Sequence, residues 1–375
     1  MSIKKEILQT TIPATIIMLI FLEFFFRFII PASNAPNAAY DSNNMILKYE
    51  KNQNGIWRKG PFNAFQAKYR INNEGWNSKN DYQFNKSSKK RICVIGDSYV
   101  EGMQVDVDKI FPTIIENTLN ENYDIEVYSF GISGAPLSAY YNMVKYVSAN
   151  YMPEIIIINL IYNDFDESIE NFYDHPYFHQ YKIDNNGQFI ESKPNIFKPN
   201  RLNRFLKNFA IVRYIMINLE IINLNILKKL FFKKDQSSDM DQNIYYQIRN
   251  NKKNIINYYE NIDDITKYIF TKIKKHIEEN NIELIFSIDG WRYFIYEGKN
   301  PKSAPAYLIN EISMKNADRL DIPIIDLTET FKNDYFHSKK RFEFENDRHW
   351  NTHGHYVVGK SIANKIKSLG WLHSN

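Results

Sequence analysis

The chain has 375 residues, which leaves one large domain or two smaller ones open. Its 47 Lys+Arg against 43 Asp+Glu give a formal charge of +4, too even for the concentrated basic excess of a nucleic-acid-binding surface. With 44% hydrophobic and 24% charged residues it can bury a sizeable core, which excludes global disorder, and its single cysteine, Cys93, excludes an internal disulfide and a cysteine-rich zinc site.

Lys4 and Lys5 precede an uncharged run from Ile7 to Leu22, and after Glu23 apolar character resumes through Ile30. That length crosses a bilayer, which takes about 20 helical residues. Glu23 and Arg27 sit four apart near the outer end, where they can pair on one helix face and reach the interface. Three readings fit: an uncleaved anchor, a cleaved signal peptide and a buried soluble helix. Ser33-Asn34-Ala35 is followed by Pro36, a poor cleavage pattern, so the anchor is favoured. Lys4 and Lys5 then hold the amino end in the cytoplasm and place everything after Pro31 outside it.

Residues 31–87 are polar and aperiodic, with Trp57 and Trp76, and read as an irregular lead-in with a short hairpin, packed on the domain beyond it. In that domain, Arg91–Ile95, Ile125–Phe130, Ile155–Leu160, Ile282–Ile288 and Ile322–Leu327 are Ile- and Val-rich runs, most of them apolar on both faces, as strands covered on both sides are. Phe111–Asn122, Leu137–Asn150, a long stretch ending near Asn280, Tyr307–Leu320 and Gly354–Leu369 carry helical patterns. The alternation predicts a parallel sheet in a doubly wound α/β domain over 88–372. Residues from about 165 to 280 exceed any ordinary crossover and form an insertion, read as helical. Its middle, Arg201 to Lys234, mixes apolar residues with Lys and Arg. It fits a cap over the site, a surface lying on lipid headgroups or plain helical packing. Gln236 to Asp241 reads as a loop.

After the first strand comes Gly96-Asp97-Ser98-Tyr99, which puts a serine at the strand's carboxyl end, where open α/β sheets bind ligands. An N-cap serine is the plain alternative. Serine is a weak nucleophile without a base. Asp347-Arg348-His349 supplies a base and a carboxylate two apart in a loop, able to orient and stabilise the imidazole. His349, His353 and His355 also admit a metal reading, but no further ligand cluster supports one, and His353 and His355 read as surface residues at a helix start. Oxyanion donors are available after the second strand, in Gly131-Ile132-Ser133-Gly134, and after the third, in Ile161-Tyr162-Asn163-Asp164. Trp291, Arg292 and Tyr293 follow the fourth strand and suit either a sugar site or loop packing. Asp97 reads as a backbone cap and Cys93 as a buried strand residue.

These blocks, in this order, resemble the SGNH (GDSL-type) hydrolase superfamily, over roughly residues 88–165 and 282–370. The resemblance implies a flavodoxin-like parallel five-stranded sheet with helices on both faces. It implies Ser98 as nucleophile, Asp347 and His349 as the remaining catalytic pair, and the Ser98 N–H, Gly134 and Asn163 as the oxyanion hole, with no metal and no cofactor. Ile161 and Tyr162 depart from the family's third block, which usually has glycine before a variable residue. The order of anchor, lead-in and G-D-S resembles membrane-anchored bacterial members acting on surface glycans. The resulting expectation is a membrane-anchored serine esterase acting outside the cytoplasm on O-acyl groups of a carbohydrate. Its partners would be the ester substrate and the membrane, with no nucleic acid. The same machinery serves an O-acyltransferase, and an inactive glycan-binding or assembly protein could keep the fold.

Overall fold

The computed structural model describes residues 7–219, 252–345 and 347–372. Lys4 and Lys5, the later part of the Arg201–Lys234 stretch and the expected loop Gln236–Asp241 lie outside the described residues.

Helix α1 (Ile7–Ile29) carries no charge besides Glu23 and Arg27, with mean hydropathy 2.1 over an 18-residue window and none of that window buried. The lead-in is more ordered than its sequence suggests. It forms two antiparallel hairpins, β1 (Ala38–Asp41) with β2 (Ile46–Tyr49), and β3 (Gln53–Lys59) with β4 (Phe65–Ile71).

Five parallel strands make the central sheet: β5 (Lys90–Gly96), β6 (Ile125–Gly131), β7 (Ile155–Leu160), β10 (Glu283–Ile288) and β11 (Ile324–Asp326). Their spatial order is β6-β5-β7-β10-β11. The chain steps from β5 outward to β6, then crosses back to β7 on the other side of β5. That reversal opens a crevice at the carboxyl ends of β5 and β7. Side-chain alternation builds one core on each face. Cys93, Ile95, Ile156, Ile158 and Leu160 face one cluster, and Ile92, Val94, Ile155 and Ile157 the other. Every residue of β7 is buried, which explains its unbroken apolar run. The first face is covered by α4 (Leu137–Tyr151) and by α7 (Lys252–Glu279), which inserts Ile262, Ile265, Ile269 and Ile273. Between β10 and β11 run α8 (Arg292–Tyr296) and α9 (Leu308–Asp318), and α9 adds Ile309 and Ile312 to the same cluster. The second face is covered by α3 (Phe111–Leu119) and α11 (Thr352–Ser368), through Ile115, Val358, Ile362 and Ile366. Burying each such side chain contributes about 1.5–3 kcal/mol.

The expected elements are present, with informative differences at the edges. Strand β11 begins at Ile324, two residues late, because Pro323 has no N–H to donate to the ladder. Leu327 belongs to the next helix, α10 (Leu327–Ser338), whose N-cap Asp326 accepts from the Thr328 N–H at 3.0 Å. The insertion contains, besides its helices, a hairpin of β8 (Gln180–Ile183) and β9 (Phe189–Ser192). The segment Asp347–Trp350, expected as loop, is strand β13, paired with β12 (Glu343–Phe344).

After the short helix α5 (Arg201–Leu206), the segment through α6 (Ala210–Arg213) lies against the carboxyl end of α1. Phe26 stacks on Tyr214 at 4.1 Å, Arg27 donates to Asn208 O at 3.0 Å, and Ile211 N donates to Glu23 at 3.1 Å. Glu23 and Arg27 pair with each other as their spacing predicts, and both also bond into the insertion.

Candidate active site

Ser98 opens the four-residue helix α2 (Ser98–Glu101) directly after β5. Asp97 caps it, accepting from the Tyr99 N–H at 2.9 Å, so the Ser98 N–H is one of the free amides of a helix start. The strand ends must close tightly on this helix. A Cβ on Gly131, at the end of β6, would lie 2.1 Å from the Glu101 nitrogen. The Ser98 hydroxyl has two acceptors in reach, His349 Nε2 at 2.8 Å and Asp97 Oδ2 at 3.2 Å. The shorter contact goes to the imidazole.

His349 lies on β13, with its Nδ1 2.5 Å from Asp347 Oδ1. Donation from Nδ1 to the carboxylate leaves Nε2 as the acceptor facing the serine. The His349 backbone N–H also donates to Asp347 Oδ1, at 2.9 Å, and Lys59 Nζ donates to Asp347 Oδ2 at 2.8 Å. Burial alone would raise the Asp347 carboxyl, but the bonds and charges of His349 and Lys59 outweigh it and hold the group well below the usual range. Two further contacts fix this strand to the sheet edge. The Trp350 indole, fully buried, donates to Asp289 Oδ1 at 3.1 Å. Tyr99 lies against the His349 ring at 4.9 Å and donates to Arg348 O at 2.9 Å. Asn351 caps α11 by accepting from Gly354 N at 3.0 Å.

The expected oxyanion donors follow the carboxyl ends of β6 and β7, the two strands that flank β5. Gly134 has φ +76°, a conformation that favours glycine, and among the described residues its N–H has no acceptor. The turn before it is held by Glu101, which accepts from the Ser133 hydroxyl at 2.5 Å and from the Tyr49 hydroxyl of β2 at 2.5 Å. Asn163 sits in a turn closed by the buried Asp164, which accepts from Ile161 N at 2.8 Å. Its side-chain amide has no partner among the described residues. Ile161 is buried in the second-face core and Tyr162 packs half-buried against both cores, so the departures from the family pattern are absorbed by packing.

Burial pushes the Asp97 carboxyl up to about 6, opposed by its bond to Tyr99 N and by the charge of His349. Asp164 is raised further by burial and by the neighbouring Asp97.

A cavity of about 370 Å³ lies on the Asp347 side of the pair; its lining includes Tyr99, Tyr162, Asp289, Trp291, Arg292, Asp347 and Arg348, and neither Ser98 nor His349. Trp291 and Tyr162 are in ring contact at 5.7 Å, and Arg292 pairs with Asp289 at 3.2 Å.

Ser98, Asp347 and His349 are therefore brought together, and Asn163 and Gly134 stand at adjoining strand ends. His355 departs from expectation. It is buried, its Nδ1 accepts from Phe111 N at 3.2 Å, and burial lowers its imidazole to about 3. It packs between α11 and α3 because the helix starts with its back to the core. His353 pairs instead with Asp334 at 2.7 Å, so the three histidines take three different partners. Among the described residues no three His, Cys, Asp or Glu side chains gather as a metal site. Cys93 is buried in β5, as expected. Lys59 and Tyr49 carry no motif, and nothing local in the sequence marks them as neighbours of the site.

Solved structures with a similar fold include TesA, at 10% identity with a TM-score of 0.39, covering 75% of this chain and 99% of that one. A lipase/acylhydrolase from Enterococcus faecalis matches at 9% identity and TM-score 0.39, covering 75% and 96%. The acetyl xylan esterase AlAXEase matches at 12% identity and TM-score 0.36, covering 74% and 99%. No curated protein sequence matches the chain. The GDSL-like Lipase/Acylhydrolase family model matches residues 92–196, the stretch that contains Ser98, Gly134 and Asn163. Between β5 and the β8–β9 hairpin, this chain carries a domain of the GDSL/SGNH lipase–acylhydrolase family.

Proposed function

We propose that the protein is a serine esterase that removes O-acyl groups, acetyl above all, from a carbohydrate outside the cytoplasm while anchored by α1. The observation that carries the reading is the Ser98–His349–Asp347 relay, with contacts of 2.8 and 2.5 Å. Ser98 Oγ attacks the ester carbonyl as its proton passes to His349 Nε2, and Asp347 stabilises the imidazolium. The carbonyl electrons move to oxygen, held by the Ser98 and Gly134 N–H groups and the Asn163 amide. Collapse breaks the bond to the alcohol, which takes the proton from His349. Water then repeats the sequence on the acyl-serine and releases the acid. The adjoining cavity supports a sugar alcohol, since Tyr162 and Trp291 offer ring faces among hydrogen-bonding Arg292, Arg341 and Glu343. The bonds of Glu23, Phe26 and Arg27 to the insertion support a retained anchor, because removing α1 would strip contacts from the folded domain.

The test is hydrolysis of an aryl acetate and release of acetate from acetylated polysaccharide. Ser98→Ala and His349→Ala should each abolish nearly all turnover, with the double variant little worse, since groups acting as one unit are non-additive. Wild-type-like activity in Ser98→Ala would falsify the reading, and acyl transfer to an added sugar in preference to water would make the protein a transferase.

A further inference from the structure

We infer that Lys59, from the lead-in, is a positioning residue for the proposed reaction, acting through Asp347 on His349; the inference rests on the esterase reading above. The two oxygens of Asp347 are divided between tasks. Oδ1 faces His349 Nδ1 and the His349 backbone N–H, and Oδ2 takes Lys59 Nζ at 2.8 Å. The pair is largely out of water, with side-chain exposures of 21% for Lys59 and 2% for Asp347.

Lys59 is not a surface chain that happens to reach the site. It ends β3, where it pairs in register with Phe65 of β4, and Phe65 stacks on Phe344 of β12 at 4.4 Å. The next residue, Gly60, donates to Asn218 O at 2.8 Å, and Asn218 Nδ2 donates to Asn63 in the same turn at 2.7 Å. Tyr214, which stacks on Phe26 of α1, takes the Phe62 N–H at 3.1 Å. One hairpin is thus pinned between the strand that carries His349 and the segment packed on α1, with its lysine turned to the aspartate.

A carboxylate bonded through one oxygen can rotate and exchange its oxygens; a donor on the second oxygen fixes the plane in which Oδ1 meets Nδ1. That holds the imidazole in the tautomer and orientation that offer Nε2 to Ser98. The lysine has an opposite electrostatic effect, since a cation beside the Asp–His pair disfavours the imidazolium. Other titratable groups that bear on His349 are Asp97 after β5, Glu101 on α2 and the buried, neutral His355 on α11, with Arg348 beside it in sequence. Arg292 lies over the Tyr99 ring that contacts the imidazole. All of these stay in place when Lys59 alone is replaced.

The two effects give a signature that a purely structural pin would not. In the full-length protein, Lys59→Gln should lower kcat for an aryl acetate by roughly 10- to 10²-fold, the cost of a small misplacement of a catalytic group. KM should change little, and the acid limb of kcat/KM should move to higher pH as the opposing cation disappears. Lys59→Arg should recover most of kcat. Lys59→Met, which keeps the apolar stem, serves where the glutamine variant does not accumulate. Lys51→Gln, which removes the partner of Glu74 elsewhere in the lead-in, should leave both parameters unchanged. Unchanged kcat and pH profile in the Lys59 variants, whatever their melting temperature, overturn the inference alone. An inert wild-type enzyme or a fully active Ser98→Ala overturns the esterase reading, and this inference with it.

Discussion

The indole of Trp350 donates to the carboxylate of Asp289 at 3.1 Å, tying the strand that bears Asp347 and His349 to the carboxyl end of β10. Both groups are buried, and Asp289 also pairs with Arg292. The tie therefore runs from the strand of the candidate base to the wall of the neighbouring cavity, which Asp289 helps to line.

Trp350→Phe should keep the ring packing against Tyr99 and Phe111 while leaving Asp289 one donor short. A hydrogen bond to a buried charged group contributes about 1.5–3 kcal/mol, so thermal or denaturant unfolding should show a loss of that size. Turnover should fall as well, because His349 is held by the same strand. Unchanged stability would mean that Asp289 is satisfied by Arg292 and Gly290 alone.

The sheet and part of the candidate site are legible in the sequence because both lie where local pattern decides structure. The run Ile155–Leu160 is apolar because the strand is covered on both faces, and Ser98, Asn163 and Asp289 follow strand ends, where parallel α/β sheets expose residues. Helix α10 is hidden because only Leu327, Thr328 and Phe331 of it are buried, which is too narrow a stripe for a clear helical period. The pairing of β13 with β12 is hidden because β12 has only two residues, which leave no alternation to read. Lys59 and Tyr49 are illegible for a different reason. Their neighbours Asp347 and Glu101 are brought to them by docking of the hairpins on the catalytic layer, a long-range packing event with no local periodicity.

The two proposed oxyanion donors should differ in kind. Asn163→Ala removes one donor side chain and should reduce kcat by about 10²–10³ with little change in stability. Gly134→Ala keeps its N–H, and the new methyl meets only Phe178 at 3.9 Å. Its cost should be about 1–2 kcal/mol of stability from the left-handed backbone, with kcat far less affected than in Asn163→Ala. Equal kinetic losses in the two variants would argue that Gly134 contributes more than its backbone N–H.

The pH dependence of stability should carry two opposed carboxylates. Asp347 is depressed on folding, so it stabilises the fold above the ordinary carboxylate pKa near about 4, and that contribution is lost as pH falls below it. Asp97 is raised to about 6, so between about pH 4 and 6 the folded state binds a proton that the unfolded state has released. Stability from this group falls as pH rises through that window and stays lower above it. Asp97→Asn can still cap α2, because asparagine accepts the same backbone bond. It should remove the penalty and stabilise the protein at pH 7 by up to about 3 kcal/mol. Melting curves from pH 4 to 7 on both proteins check this; a variant that keeps the wild-type slope assigns it to another buried acid, such as Asp164.

The amino-terminal helix is bound into the rest of the fold, and that sets where the chain can be cut. Helix α1 has 23 residues, about 34 Å at the helical rise, against a hydrocarbon core of about 30 Å. Its last turns are built into the domain by Glu23, Phe26 and Arg27, and the contacts continue past the helix. Ser33 N donates to Asn218 at 2.8 Å, and Asn34 accepts from Ile56 N at 3.1 Å. A soluble form should therefore begin at Pro31, because a chain beginning near Ala39 loses Ser33 and Asn34 and frees the β3 side of the Lys59 hairpin. The Pro31 form should be soluble and active, whereas the Ala39 form should melt lower and turn over more slowly. Full-length protein should fractionate with membranes and resist carbonate, and protease added from outside the cytoplasmic membrane should degrade its catalytic domain. If that domain stays protected until the membrane is lysed, the orientation is wrong; if mature protein from cells lacks α1, the span is a leader and the contacts of Phe26 and Glu23 do not persist.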